Sequence, residues 1–242
     1  MQGEKEKERK HRCRFEFDEF VHGYRQKQDK LLWLSGETSE YFALYKVQKL
    51  SLWLPEFKDR NFSVLDYGCG DGLMTSYMRS YFPKARVFGT DPSLESIEAA
   101  QKHFSDISFS VIDREVVPYE DSKFEMIFAA GVFHHIPFCE HRHWLDEIFR
   151  VLKKDGVFIL FDINPLNPIA HYVFKTHPLD QSAKMLYPLY ARKILKNYGS
   201  VKTFFYCFFP RFARMFRPLE RYISWLPFGA HHAHVVCNRK KL

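Results

Sequence analysis

The residues best placed to do chemistry lie at the ends of short apolar runs. The first run is Val64-Leu65-Asp66-Tyr67-Gly68-Cys69-Gly70-Asp71-Gly72, an acid followed by glycines at alternate positions. Glycine is needed where φ is positive or where a ligand lies against the backbone. The amides of such a turn, and of a helix that follows it, can hold a carboxylate. A second acid stands in Gly89-Thr90-Asp91-Pro92. At a strand tip it would accept two hydrogen bonds from a ribose diol; its plainer use is to cap the next helix. A third acid closes Val111-Ile112-Asp113-Arg114. It can meet an adenine exocyclic amine or stand as a solvated turn acid. His134 and His135 follow another apolar run. Histidine titrates near neutrality, so either ring can serve as a base or orient an acceptor, and either can instead be structural.

The spacing excludes other uses. A dinucleotide fingerprint reads GxGxxG, but here the third glycine falls one position early, at Gly72, and no GK[ST] triplet follows as in a phosphate-binding loop. Cys139, His141 and His143 have ligand-like spacing, as do His231, His232, His234 and Cys237. Neither group has a second pair at a known spacing, so no metal is expected. Asn164 ends a later apolar run and reads first as a cap for the proline loop NPLNP after it.

These groups need a scaffold. Apolar residues recur at helical spacing from Phe15 to Leu54, including Phe17, Phe20, Val21, Tyr24, Tyr41, Phe42 and Tyr45. This predicts two helices broken near Ser35-Gly36, with Pro55 ending the second. Strands are predicted over 62–68, 85–91, 107–113, 124–130 and 156–163. Helices are predicted over 73–82, 92–104 and 141–154, the last closed by Asp155-Gly156. After the proline loop come a helix over 183–198 and strands over 201–209 and 230–238. Strands apolar on both faces and alternating with helices imply a parallel sheet covered on both sides.

Length and composition agree. The 242 residues suffice for one α/β core, and 46% hydrophobic with 27% charged residues exclude wholesale disorder. No apolar run reaches membrane-spanning length, and the N-terminus lacks a signal-peptide pattern. Five scattered cysteines without a CxxC make a reducing cytoplasm the default. The net charge of +7 is uneven: from Asn164 onward 13 lysines and arginines face two acids. That third also holds FFYCFFPRFARMF at 204–216. Strand six with its loop is the first reading of this segment. An apolar wall for a lipid-like acceptor or docking at an anionic membrane surface are the others, and nucleic acid ranks last because no RNA-binding module is present.

The runs DYGCGDG, GTDPS, VIDREVVPYEDSKFEMI, AAGVFHHI and LKKDGVFILFDINP, in this order over about residues 60–165, resemble the successive motifs of class I S-adenosyl-L-methionine (SAM)-dependent methyltransferases. The resemblance implies an α/β fold: a Rossmann-like seven-stranded, mostly parallel sheet, last strand antiparallel, with helices on both faces and a helical N-terminal lid. It implies SAM as cofactor. Gly68, Cys69 and Gly70 would line its methionine part, with Asp66 supporting the loop. Asp91, followed by Pro92, would take the ribose hydroxyls; Asp113 would take the adenine amine, with the Arg114 N–H beside it. Ala129 and Ala130 would pass beside the methionine moiety. Glu125 departs from the family's usual Asp, and AAGVFHHI differs from the NPPY or DPPY of base-amine methylases. SGE with Tyr41-Phe42, and then FDINPLNP, HPLD, FFP, PLE and LPFGA, resemble more loosely a bacterial small-molecule-type subgroup, some of whose members are associated with lipid or cell-surface saccharide pathways.

The expectation is a charged tail over 1–14 and one methyltransferase domain over 15–242. Within it lie N-terminal helices (15–60), a SAM-binding core (61–165), and C-terminal strands with the basic, aromatic segment (166–242). The expected function is SAM-dependent methylation of a small-molecule, lipid or saccharide acceptor, in the cytoplasm or at the inner face of its membrane. An RNA or protein methyltransferase and a non-catalytic SAM-binding regulator are the alternatives. A nicotinamide oxidoreductase is more distant.

Overall fold

The short apolar runs become seven strands in one sheet. The computed structural model describes residues 36–113, 115–177 and 182–238. The tail, the first predicted helix with Tyr24, and Arg114 lie outside the described residues. The strands are β1 (Phe62–Tyr67), β2 (Ala85–Asp91), β3 (Ser108–Val111), β4 (Phe124–Ala130), β5 (Leu152–Ile163), β6 (Ser200–Tyr206) and β7 (His231–Cys237). Their order is β3-β2-β1-β4-β5-β7-β6. β1 pairs in parallel with β2 and β4, while β7 runs antiparallel between β5 and β6. The order reverses between β1 and β4, the place where open α/β sheets bind ligands at their strand C-terminal ends.

Alternation along each strand feeds two cores. Val64, Met126, Phe128, Ile159 and Phe161 face one side. There they meet α1 (Ser39–Trp53), α2 (Leu73–Tyr81) and α3 (Leu94–His103). Leu65, Ile127, Ala129, Phe158 and Leu160 face the other side, against α4 (His141–Val151) and α6 (Pro188–Leu195). Phe128 and Phe158 are fully buried on opposite faces, each contributing about 1.5–3 kcal/mol by leaving water. α5 (Pro168–Thr176) follows β5, and a 3₁₀ segment (Arg211–Leu219) with the short α7 (Glu220–Ile223) fills the β6–β7 connection.

Several boundaries differ from expectation. The helix predicted over 141–154 stops at Val151, because Leu152 already pairs with Phe124 in the sheet; Asp155, at φ 64°, is a turn within β5. The NPLNP loop holds up to Asn167, and a helix that was not expected, α5, starts at its last proline. Pro168 occupies its first turn and Asn167 caps it, accepting from the Ala170 N–H at 2.9 Å. The helix predicted over 183–198 begins only at Pro188, and β6 ends at Tyr206 rather than 209.

α1 is the described part of the lid. Thr38 caps it by accepting from the Tyr41 N–H at 3.2 Å. It is fastened from below by Glu220, which is 1% exposed. Glu220 accepts from the Tyr45 hydroxyl, from Lys49 Nζ at 3.3 Å, and from the N–H groups of Cys207 and Phe208.

Candidate active site

The turn after β1 is built by hydrogen bonds to β2. The N–H groups of Gly68 and Cys69 both donate to the Thr90 carbonyl, at 2.7 and 3.0 Å. The Gly70 N–H donates to Asp91 Oδ2 at 2.9 Å. These amides serve the protein's own fold, so the turn offers the cleft bare backbone rather than a row of donors. Gly68 has φ 76°, and a Cβ there would lie 2.3 Å from Val132 Cγ2. Gly70 has φ 52°, and a Cβ there would meet nothing within 4 Å. One glycine is needed for packing, the other borders open space.

Asp91 is half-buried, and its Oδ1 accepts from the Ser93 N–H at 2.9 Å. The cap of α3 is Ser93, whose hydroxyl oxygen accepts from the Ser96 N–H. Asp91 is therefore not spent as the helix cap. Pro92 is exposed beside it. Asp66 is 2% exposed, and its Oδ2 accepts from Thr75 Oγ1 at 2.7 Å. Burial pushes its carboxyl up to about 7; the Thr75 hydroxyl works against this and the Asp91 charge adds to it. Asp113 is exposed at the β3 tip, bridged to Val116. The loop behind it is clamped by Arg150, which donates to the carbonyls of Val117 and Tyr119 and pairs with Asp121 and Glu147.

Of the two alanines at the β4 tip, Ala129 is fully buried against the α4 face, and Ala130 is half-exposed on the side of the glycine turn. Glu125, the departure from the family pattern, sits at the far end of β4. It accepts from the Ser63 N–H at 2.7 Å and from Lys153 Nζ at 2.6 Å. Burial opposes these two bonds, yet they hold its carboxyl below the ordinary range. That position is a strut, not part of the cleft.

His134 and His135 differ sharply. His134 is 4% exposed, and its Nδ1 lies 2.7 Å from Asp162 Oδ1. Asp162 also accepts from the Ile163 N–H, while its Oδ2 is buried without a hydrogen-bond partner. Burial works to raise the Asp162 carboxyl, but His134, His232 and the Ile163 N–H hold it below the carboxylate range. The His134 ring packs edge-on against Phe174 of α5 and 4.2 Å from the half-exposed ring of His135. Asp162 was not singled out in the sequence, although the run Phe161-Asp162-Ile163 breaks the apolar strand in the way Asp66 does.

Lys46 was also missed. It stands on α1 among Phe42, Tyr45, Val47 and Leu50. Burial pushes its ammonium down, opposed by the charges of Asp162, Cys207 and Asp66 at the strand tips. A cation inside the apolar stripe of a lid helix was the available signal.

The other polar groups are structural. Asn164 donates to the carbonyls of Pro227 and Gly229 and accepts from the Leu166 N–H. His141 Nε2 lies against the carbonyls of Phe133 and Ile136, and His143 Nε2 against that of Glu115. Thr203, His234, His232 and the Leu186 carbonyl form one hydrogen-bonded chain. Burial pushes both imidazoles down, His234 to about 3. Among the described residues no group of histidines, cysteines and acids could hold a metal ion.

Comparison with known proteins bears on this site. Residues 64–156 match the methyltransferase domain family. The chain is 32% identical to demethylmenaquinone methyltransferase of Thermotoga maritima over 104 residues, 43% of this chain and 44% of that protein. It is 29% identical to phthiotriol/phenolphthiotriol dimycocerosates methyltransferase 1 of Mycobacterium ulcerans over 111 residues, 45% of this chain and 40% of that protein. The chain thus spans less than half the length of these curated relatives. A crystal structure of a SAM-dependent methyltransferase from Thermotoga maritima shares the fold, with a TM-score of 0.67 and 16% identity over 94% of this chain and 100% of that one. Residues 64–156 thus match the methyltransferase domain family, and the seven-stranded sheet that carries them has the fold of a solved SAM-dependent methyltransferase.

Proposed function

We propose that this protein transfers the methyl group of SAM to a small-molecule, lipid or saccharide acceptor by in-line displacement. The observation that carries the reading is the β1 turn: an open glycine backbone at Gly70, tied at 2.9 Å to the acid at the next strand tip. The residues present fit the cofactor. Asp91 would accept from the ribose hydroxyls, beside Pro92, and Asp113 from the adenine amine. Gly68, Cys69, Gly70 and Ala130 would line the methionine part, with Asp66 and Thr75 bracing the turn beneath. Bound SAM supplies an electrophilic methyl on a sulfonium, so the protein's task is alignment and exclusion of water.

For an acceptor that must lose a proton, His134 would take it at Nε2. Asp162 would fix the tautomer through Nδ1 and favour the imidazolium that results. His135, half-exposed beside it, would orient the acceptor. The names of the relatives carry the acceptors demethylmenaquinone and phthiotriol, which favours a small-molecule or lipid class over RNA or protein. The basic C-terminal third suits a second partner, an anionic membrane surface. The domain is read as one unit over 15–242.

The test is formation of S-adenosylhomocysteine when the protein and SAM are offered lipid-extract, saccharide and RNA fractions. Turnover with the lipid or saccharide fraction supports the reading. Turnover with RNA alone, or SAM binding with no product from any fraction, replaces it by one of the alternatives.

A further inference from the structure

The β6–β7 connection has an unusual surface. β6 ends at Tyr206 and β7 begins at His231, paired partners at the same edge of the sheet as the glycine turn and the tips of β4 and β5. Residues 207–230 therefore lie at the sheet edge that carries the glycine turn, and Glu220 and Arg217 tie them to Tyr45 of α1 and to Glu37 just before it. They expose Phe212 (88%), Met215 (76%), Trp225 (71%) and Phe228 (64%). Asn167 of the α5 cap donates to the Phe228 carbonyl at 2.8 Å, which brings Ile169 and Tyr172, both exposed, beside this patch. Apolar side chains of this size standing together in water mark an interaction site.

The charge pattern identifies the partner. Arg211, Arg214 and Arg221 are exposed among these rings. Between residues 164 and 238 the only described acid is Glu220, which is buried beneath Tyr45 and Lys49. Arg217 is taken up by Glu37 at 2.7 Å. A free surface or a protein–protein rim would mix both signs. Rings and aliphatic side chains interleaved with cations, and no exposed acid among the described residues from 164 to 238, match the boundary of an anionic bilayer, where aromatic side chains sit at headgroup level and arginines meet phosphate. A groove between α6 and the edge strand β6 opens beside Trp225. It is lined by Leu189, Val201 and Phe204, with Arg192 and Lys202 among its residues. That combination suits an acyl chain with a phosphate above it.

We propose that the 207–230 connection, with the exposed start of α5, docks on an anionic phospholipid surface and turns the mouth of the cleft toward it. The acceptor then enters from the bilayer rather than from water. Delivery of the acceptor rests on the methyl-transfer reading; the docking does not.

The test is co-sedimentation of the full chain with phosphatidylglycerol–phosphatidylcholine vesicles and with phosphatidylcholine vesicles. SAM binding is measured on the same samples by calorimetry. Binding to the mixed vesicles is expected, weak on phosphatidylcholine alone and falling with salt. Replacing Arg211, Arg214 and Arg221 together by Ala should lower partition on the order of a hundredfold, about fivefold per cation. F212S/M215S should lower it as well, with SAM affinity unchanged in both variants. Failure of the parent to bind, equal binding to both vesicles, or variants that bind as the parent does would overturn the docking. So would a dimer that the F212S/M215S change splits without any vesicle binding. Vesicle binding without SAM binding would spare the docking and remove the methyl-transfer reading.

Discussion

The Gly70 N–H and Asp91 Oδ2 meet at 2.9 Å, so the turn after β1 is locked by the carboxylate at the tip of β2. The same carboxylate takes the Ser93 N–H. Asp91 thus shapes the turn as well as facing the cleft. Asp91→Ala leaves two backbone donors unpaired and should cost roughly 1–3 kcal/mol of stability. It should also weaken SAM binding by roughly 1–3 kcal/mol through the lost ribose bonds. A thermal melt and a calorimetric titration separate the two. An unchanged affinity in the folded variant would refute the ribose assignment.

Gly68 and Gly70 make a matched pair. Gly68→Ala puts a Cβ 2.3 Å from Val132 at a positive φ and should destabilise the fold by roughly 3 kcal/mol. Gly70→Ala meets nothing within 4 Å and should cost only about 1 kcal/mol, yet it places a methyl where the cofactor is read to lie. Denaturant unfolding should rank the two one way and SAM affinity per folded molecule should fall for Gly70→Ala. A Gly70 variant with full affinity would move the cofactor elsewhere.

Stability should depend on pH through Asp66. Its carboxyl is pushed up to about 7, so between about pH 4 and 7 the folded protein keeps a proton that the unfolded chain releases. This contribution to stability falls as pH rises through that window. His231 and His234, each pushed down to about 3 by burial, act oppositely: stability falls as pH drops below about 6.5, where unfolded imidazoles charge and folded ones do not. Asp66→Asn removes the first effect and keeps the second. Its stability should rise with pH between about 4 and 6.5 more steeply than the parent's, by about 1.4 kcal/mol per pH unit. Parallel curves from urea titrations at several pH values would contradict the assignment.

Much of this was legible in the sequence because it depends on local rules. Glycines at alternate positions after an apolar run predict the turn after β1, and the acids of successive runs fall at the C-terminal edge of the sheet, whatever packs around them. β2 and β4 fall on their predicted boundaries because each starts just after a lysine, Lys84 or Lys123, and stops at a proline or a glycine, Pro92 or Gly131. What was not legible depends on contacts distant in sequence. The pairing of His134 with Asp162 joins residues 28 apart, one in the turn after β4 and the other on β5. Lys46 stands within the apolar stripe of α1, but which acids it faces shows only once α1 is laid over the strand tips. α5 was not legible for a different reason: Pro168 closes the NPLNP loop and also sits in the first turn of the helix, where proline starts a helix rather than breaking it.

The pairing itself is testable. Asp162→Asn should keep the fold compact and SAM affinity near the parent's, while lowering turnover about 10²- to 10⁴-fold for an acceptor that must be deprotonated. Its rate should then rise with pH in place of the parent's plateau. Equal rates for parent and variant would reduce Asp162 to a structural acid.

Titration of the full chain with SAM in a calorimeter weighs the central claim most directly. One site per chain is expected, filled by S-adenosylhomocysteine as well, and weakened in both Asp91→Ala and Gly70→Ala while Glu125→Gln leaves it alone. No heat with either compound, or equal affinity in all three variants, would contradict a cofactor cleft at the β1 turn.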